Sequence, residues 1–249
     1  MSNSPLRNIV VIAKRELISY FTSPIAYVFI VIFLLLSGFF TFMFSHWFTL
    51  GQASLNAFFI WHPWLYEVLV PAVGMRLWSE ERRIGTIELL LTMPVTVWQA
   101  IVGKFLAAWV VLGIALALTF PMIVTVNYLG HPDNGVIIAG YLGSFLMAGA
   151  FLSITCITSA ITRNQVVSLI LSVVAGLFLI LAGFTPITDL LINWASPAVV
   201  DTIASFSVIT HFMGIQKGIL DSRDLIYFAS VICFSLFTTS VIIRAHRAG

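Results

Sequence analysis

Residues 75–104, MRLWSEERRIGTIELLLTMPVTVWQAIVGK, decide how the rest of the chain is read. The sequence carries 12 Lys/Arg and 10 Asp/Glu, and seven of these 22 charged side chains fall here: Arg76, Glu80, Glu81, Arg82, Arg83, Glu88 and Lys104. On both sides lie nearly uncharged segments long enough to cross a bilayer. Carboxylates and guanidiniums grouped with Gly85 and Pro94 are not stable in hydrocarbon, so this stretch belongs in water between two crossings.

Composition agrees. The 249 residues are 60% hydrophobic and 9% charged, with a mean hydropathy of +1.05, whereas a soluble domain carries about 25% charged residues. That is an integral membrane protein. The net charge of +2 and the absence of a clustered basic face leave no case for a nucleic-acid partner. Cys156 and Cys233 sit inside apolar runs and read as small hydrophobes. The first apolar run lacks a small-residue cleavage site, so no removable signal peptide is expected.

Working outward, Leu6, Ile9, Val10, Ala13, Leu17 and Phe21 recur at helical spacing, which predicts an amphipathic interfacial helix over 6–22. Ser23-Pro24 ends it. Crossings are expected at 25–44, 57–78, 97–128, 136–162, 166–184 and 225–243, each long enough for about 30 Å of hydrocarbon. Thr96 and Gln99 form a capping box at the start of the third. The apolar pieces of 185–224 are too short to cross and predict interfacial or re-entrant helices. The fold class is therefore all-α and polytopic, one domain over 1–249. With six crossings both termini share a side, and ten of the twelve Lys/Arg share it with them; only Lys217 and Arg223 do not. The positive-inside rule then places the termini and residues 79–96 in the cytoplasm, and 185–224 outside. Trp47, Trp61, Trp64, Trp194 and Tyr128 suit an outer aromatic belt. Gly140, Ser144 and Ala148, and again Ser168, Ser172 and Gly176, mark faces where helices approach closely.

Within the polar loop, Gly85 permits a bend with positive φ. Thr86 can cap a new helix with Glu88 in its first turn. Ile84, Ile87, Leu90 and Leu91 form an apolar stripe, and Pro94 stops it. A short amphipathic helix results. Physics alone leaves two readings, a docking patch for a soluble partner or a membrane-surface helix without one.

The pattern Glu81-x-x-x-Gly85-Thr86-x-Glu88-x-x-Leu91-Thr92-x-Pro94, followed by Gly103-Lys104, resembles the coupling segment of type-2 ABC exporter permeases (ABC-2). Ser23-Pro24-Ile25-Ala26-Tyr27 and the run Phe33 to Gly38 resemble the gliding-motility-associated branch, close to the permease of nitrous-oxide-reductase maturation systems. The likeness covers nearly the whole chain. It implies a permease subunit of an inner-membrane exporter, paired with a second copy and driven by a separate ABC ATPase that holds the ATP and Mg. A membrane-anchored auxiliary subunit and membrane lipids are further implied partners. Glu80, Glu81, Arg82, Arg83, Gly85, Thr86, Glu88, Leu91 and Pro94 are the expected ATPase-coupling residues. Glu67 has no counterpart in that motif.

No G-x-x-x-x-G-K-[ST] occurs, so ATP must be handled by another chain. Nor do the histidines His46, His62, His131, His211 and His246 have metal-ligand spacing, or any residues form a nucleophile motif, so neither enzyme chemistry nor a bound cofactor is expected on this chain. Glu67 lies about 13 Å from Arg76 at 1.5 Å per residue, deep in the second crossing. A carboxylate there either faces a pathway or dimer seam or is satisfied by packing. The alternative function is a membrane anchor or mechanotransmitter that passes ATPase motion to an extracytoplasmic partner; a secondary carrier, which needs no ATPase, is a third.

Overall fold

The computed structural model describes residues 5–49, 51–86 and 95–245, and within these every regular element is helical. Helix α1 (Pro5–Thr22) stops at Ser23-Pro24, and α2 (Ile25–Phe39) runs on into a π-helical turn, Phe40–Phe44. Next come α3 (Asn56–Phe59), α4 (His62–Gly74), α5 (Arg76–Ile84), α6 (Val97–Ala117), α7 (Phe120–Leu129), α8 (Asn134–Ile161) and α9 (Gln165–Leu181). Three short helices, α10 (Thr185–Ile192), α11 (Pro197–Ala204) and α12 (Val208–Gln216), precede the last, α13 (Ser222–Ala245).

Four of the described segments are long and apolar enough to cross a bilayer alone: Ile25–Phe44, Val97–Leu129, Asn134–Ile161 and Ser222–Ala245. These correspond to the first, third, fourth and sixth expected crossings. The count reaches six if each of two bent pairs is one span, α9 with α10 at 64° and α11 with α12 at 71°. The fifth expected crossing is α9, and the bends after α9 and after α11 fit either broken spans or the re-entrant pieces expected of 185–224.

The second expected crossing, 57–78, departs from the expectation of one apolar helix. It is α3, α4 and the start of α5 in series, and it is not among the segments that qualify by length and composition. The reason is its surroundings. His62, Leu65, Tyr66, Glu67, Val70, Pro71, Val73 and Gly74 are all buried in protein. A helix with most of its surface against other helices and one open edge at Val68 has little need of a lipid-like surface elsewhere, so His62, Glu67 and two prolines are tolerated.

Helix α8 is the axis of the bundle: α4, α5, α6, α9, α12 and α13 all pack on it. Asp133 caps it, its Oδ1 accepting from the backbone N–H groups of Gly135 at 2.8 Å and Val136 at 3.4 Å. The two small-residue faces are indeed contact seams. Ser144 is hydrogen-bonded to His62 Nδ1 at 2.7 Å and to the Tyr66 hydroxyl at 2.8 Å, and Ser172 meets Thr158 of α8. Between transmembrane helices such close packing and polar bridges replace the hydrophobic drive that lipid removes.

Two surface features add detail to these expectations. On α1 the inward face is Ile9, Ile12, Ala13, Glu16, Leu17 and Tyr20, while Leu6, Val10, Val11 and Ile18 point outward. The polar Glu16 has no place in an apolar stripe, and its partner Lys104 lies 88 residues further on. In the aromatic belt, Tyr128 and Trp194 are exposed, as an interfacial ring should be, but Trp47 is buried and donates from Nε1 to Ser54 O at 2.8 Å.

Candidate functional site

The charged stretch builds a junction of three helices. Helix α5 continues α4 across Met75, where the helix breaks although the Met75 N–H still bonds Pro71 O at 2.8 Å. Ser159 of α8 repairs that break: its hydroxyl accepts from the N–H of Trp78 and of Ser79, both at 3.0 Å, and donates to Met75 O at 2.8 Å. Further along, the Arg82 guanidinium donates to the carbonyl of Ala160. Helix α5 is thereby fastened to the end of α8 at both of its own ends. Arg82 and Arg83 lie in its last turn, where the helix dipole favours cations. Gly85 then stops it with φ +79°, the left-handed conformation expected from the sequence, its N–H reaching Glu81 O. The Thr86 hydroxyl donates to the same carbonyl at 3.5 Å.

Helix α6 arrives from the other side of the loop. Its start is fixed by the expected capping box, Gln99 N–H to Thr96 Oγ1 at 3.3 Å and Thr96 N–H to Gln99 Oε1 at 3.0 Å. One turn on, Gly103 lets α1 lie directly against α6; a Cβ there would sit 2.8 Å from Ile12 Cγ2 and 3.1 Å from the carbonyl of Ile9. That contact brings Glu16 to Lys104. The Lys104 ammonium lies 3.2 Å from Glu16 Oε1 and 2.9 Å from Glu81 Oε1, with its side chain only 5% exposed. It also sits 5.5 Å from the centre of the Trp78 ring, within cation–π range. Arg15 holds Glu16 at 2.9 Å. Burial raises the Glu16 pKa, but Lys104 and Arg15 outweigh it and hold the carboxyl below its ordinary value. Beside the junction the Tyr20 hydroxyl donates to Val73 O at 3.2 Å and Arg76 stacks over the ring at 5.2 Å. Burial pushes that phenol's pKa upward, against the Arg76 charge. A cleft of about 340 Å³ opens here, with Glu80, Glu81, Arg76 and Lys104 on its walls.

Of the residues expected to couple to an ATPase, the structure brings Glu80 and Glu81 to this cleft and sets Arg82 on α8. Arg83 and Gly85 are exposed beyond it, with Thr86 half-buried. Glu88, Leu91 and Pro94, and the short helix expected around them, lie outside the described residues. Sequence reasoning missed Glu16 as the second carboxylate of the junction and quoted Lys104 only as part of a motif. The available signal was Lys104 itself, one cation at the head of an otherwise uncharged crossing.

Glu67 is accommodated differently. It is 4% exposed, and its carboxylate makes no well-formed hydrogen bond among the described residues; the backbone of Leu177 on α9 is the polar group that comes close to it. It lies against α9, where Gly176 leaves the room it occupies: a Cβ at 176 would be 2.5 Å from Glu67 Oε2 and 2.9 Å from the Phe151 ring.

The family model described as ABC-2 family transporter protein matches residues 65–242, most of the chain and all of the junction except α1. The chain belongs to that family. It is a multi-pass membrane component of an ABC system, and membership implies association with an ABC ATPase. No curated protein matches the chain.

Proposed function

We propose that this chain is the permease subunit of an ABC exporter in the inner membrane, with residues 80–94 as the lever on which a separate ATPase acts. The observation that carries this reading is Lys104. One buried ammonium joins the end of the second crossing through Glu81, the head of the third through its own backbone, and the interfacial helix through Glu16. Ser159 and Arg82 add α8 to the same body. A push on 80–94 therefore displaces four helices together. A lever so tied does work only if the ATPase contacts it differently in its two nucleotide states.

The Lys/Arg distribution supports placing the lever and both termini in the cytoplasm, with 185–224 outside. ATP and Mg belong to the partner. A second copy of the chain completes the pathway, and an apolar groove of about 240 Å³ between α2 and α4, lined by Val28, Ile32, Leu69 and Ala72 among others, is a surface on which two copies can meet. The opening Ser23 to Tyr27 supports the gliding-motility and nitrous-oxide-reductase-maturation branch, and with it an auxiliary subunit.

The test uses the permease–ATPase complex in liposomes with a fluorophore at Val68, an exposed position on α4. Proline cannot adopt φ +79°, so Gly85→Pro deforms the lever at its base; Glu88→Arg reverses its charge. Both variants are expected to assemble and hydrolyse ATP while the ATP-driven fluorescence change is lost. An unaltered fluorescence response in both variants counts against the lever.

A further inference from the structure

At the end of the bundle opposite the Lys104 junction, the α7–α8 connection, α3 and the end of α12 line an open cavity of about 320 Å³. Leu55, Phe59, Val136 and Ile137 form an apolar floor, and Asp133 and Lys217 share the rim. These opposite charges do not pair with each other, and the Lys217 ammonium has no partner among the described residues. Asp133 uses one oxygen to cap α8 and leaves the other open. The rim is held in place because Gln216, next to Lys217, donates from Nε2 to Asn56 O of α3 at 3.1 Å. Tyr128, in the last turn of α7 at this end of the bundle, is 88% exposed, and an exposed aromatic ring at the end of an apolar helix suits the level of lipid headgroups.

We propose that this cavity binds one zwitterionic aminophospholipid. A free carboxylate oxygen and a free ammonium facing one small cavity complement a ligand with one cation and one anion. The lipid's primary ammonium donates to Asp133, its phosphate accepts from Lys217, and the start of an acyl chain rests against the half-buried Ala53 and Val136. The open Asp133 oxygen needs a hydrogen-bond donor, which an ethanolamine headgroup supplies and a choline headgroup lacks. An anionic lipid without an amine would leave Asp133 opposing it. The site is remote from the Lys104 junction, and its reading does not depend on the lever.

The experiment is native mass spectrometry of the delipidated full chain, titrated with phosphatidylethanolamine, phosphatidylcholine or phosphatidylglycerol of matched acyl chains. Phosphatidylethanolamine is expected to saturate at one per chain and to bind about tenfold tighter than the other two, a margin of one well-made charged contact. Asp133→Asn keeps the α8 cap, since Asn caps as well as Asp, and should reduce phosphatidylethanolamine to the phosphatidylcholine level. Lys217→Met should weaken phosphatidylethanolamine by a similar factor. Equal binding of the three lipids, or wild-type affinity in both variants, overturns the proposal. Tightest binding of phosphatidylglycerol, sensitive to Lys217→Met alone, overturns it in favour of a simple anion site.

Discussion

Glu81 and Glu67 lie in consecutive helices fourteen positions apart, and the fold treats them in opposite ways. Glu81, at the end of the bundle, shares Lys104 with Glu16, so two carboxylates from two helices converge on one buried ammonium. Glu67, inside the bundle, meets no cation among the described residues and rests against a glycine. The first arrangement ties helices together by opposite charge. The second makes room by removing a side chain from the neighbouring helix. One joins helices through a shared charge, and the other seats a carboxyl without a cation at a helix–helix seam beside the backbone of Leu177.

The sharpest way to break the comparison is to remove the shared cation. Lys104→Met leaves Glu81 without its cation and Glu16 with only the exposed Arg15. Stranding buried charges in this way costs about 3 kcal/mol or more. We expect a loss of that size in denaturant unfolding of the detergent-solubilised chain. Most of it should return when Glu16→Gln and Glu81→Gln are added. An unchanged transition for Lys104→Met would show that the junction ties nothing.

A smaller effect is expected at the glycine. Gly176→Ala drives a methyl into the Glu67 carboxyl and should cost about 1–3 kcal/mol, the usual range for overpacking. Glu67→Gln keeps the volume and should stay within about 1 kcal/mol of wild type, while Glu67→Ala should relieve most of the Gly176→Ala penalty. Additivity of Gly176→Ala and Glu67→Ala would mean that the two residues do not share the seam. With Glu67→Gln, retained expression together with a diminished ATP-driven signal would assign the carboxyl to the pathway or the dimer seam. An unchanged signal would assign it to packing.

The smallest effect concerns pH. The Glu16 carboxyl titrates below its ordinary value of 4.5 in the folded chain. Its contribution is therefore fully present above pH 4.5 and is lost as pH falls through the lower folded value. Acid should release α1 from α6, measured by crosslinking a cysteine pair placed at Ile12 and Gly103's neighbour Val102. Glu16→Gln should abolish that dependence; an acid transition that survives the substitution would locate the titrating group elsewhere.

Much of this was legible in the sequence. The crossings at 25–44, 136–162 and 225–243 follow from unbroken apolar runs, the capping box from Thr96 and Gln99, and the positive φ from the one glycine in a charged turn. The second crossing was harder because hydropathy assumes a lipid neighbour, whereas most of α4 faces protein. The third was placed correctly in extent, but its break before α7 at Leu118 and Thr119, ahead of Pro121, was not seen. The partnership of Glu16 with Lys104 escaped because a tertiary ion pair leaves no periodicity. Gly103 was quoted as part of a motif, and only the contact with Ile12 shows that it is there for close approach.

The central claim is that the polar turn after α5 is gripped by an ATPase. A cysteine at Arg83, exposed at the tip of α5, in a chain whose Cys156 and Cys233 are replaced by serine, tests it most directly when the copurified complex is treated with a short bifunctional crosslinker. The expected result is a crosslink to the ATPase subunit whose yield changes between nucleotide-free and ATP-bound states. Labelling of that cysteine in intact cells by a membrane-impermeant reagent, with no crosslink to the ATPase in either state, would contradict it.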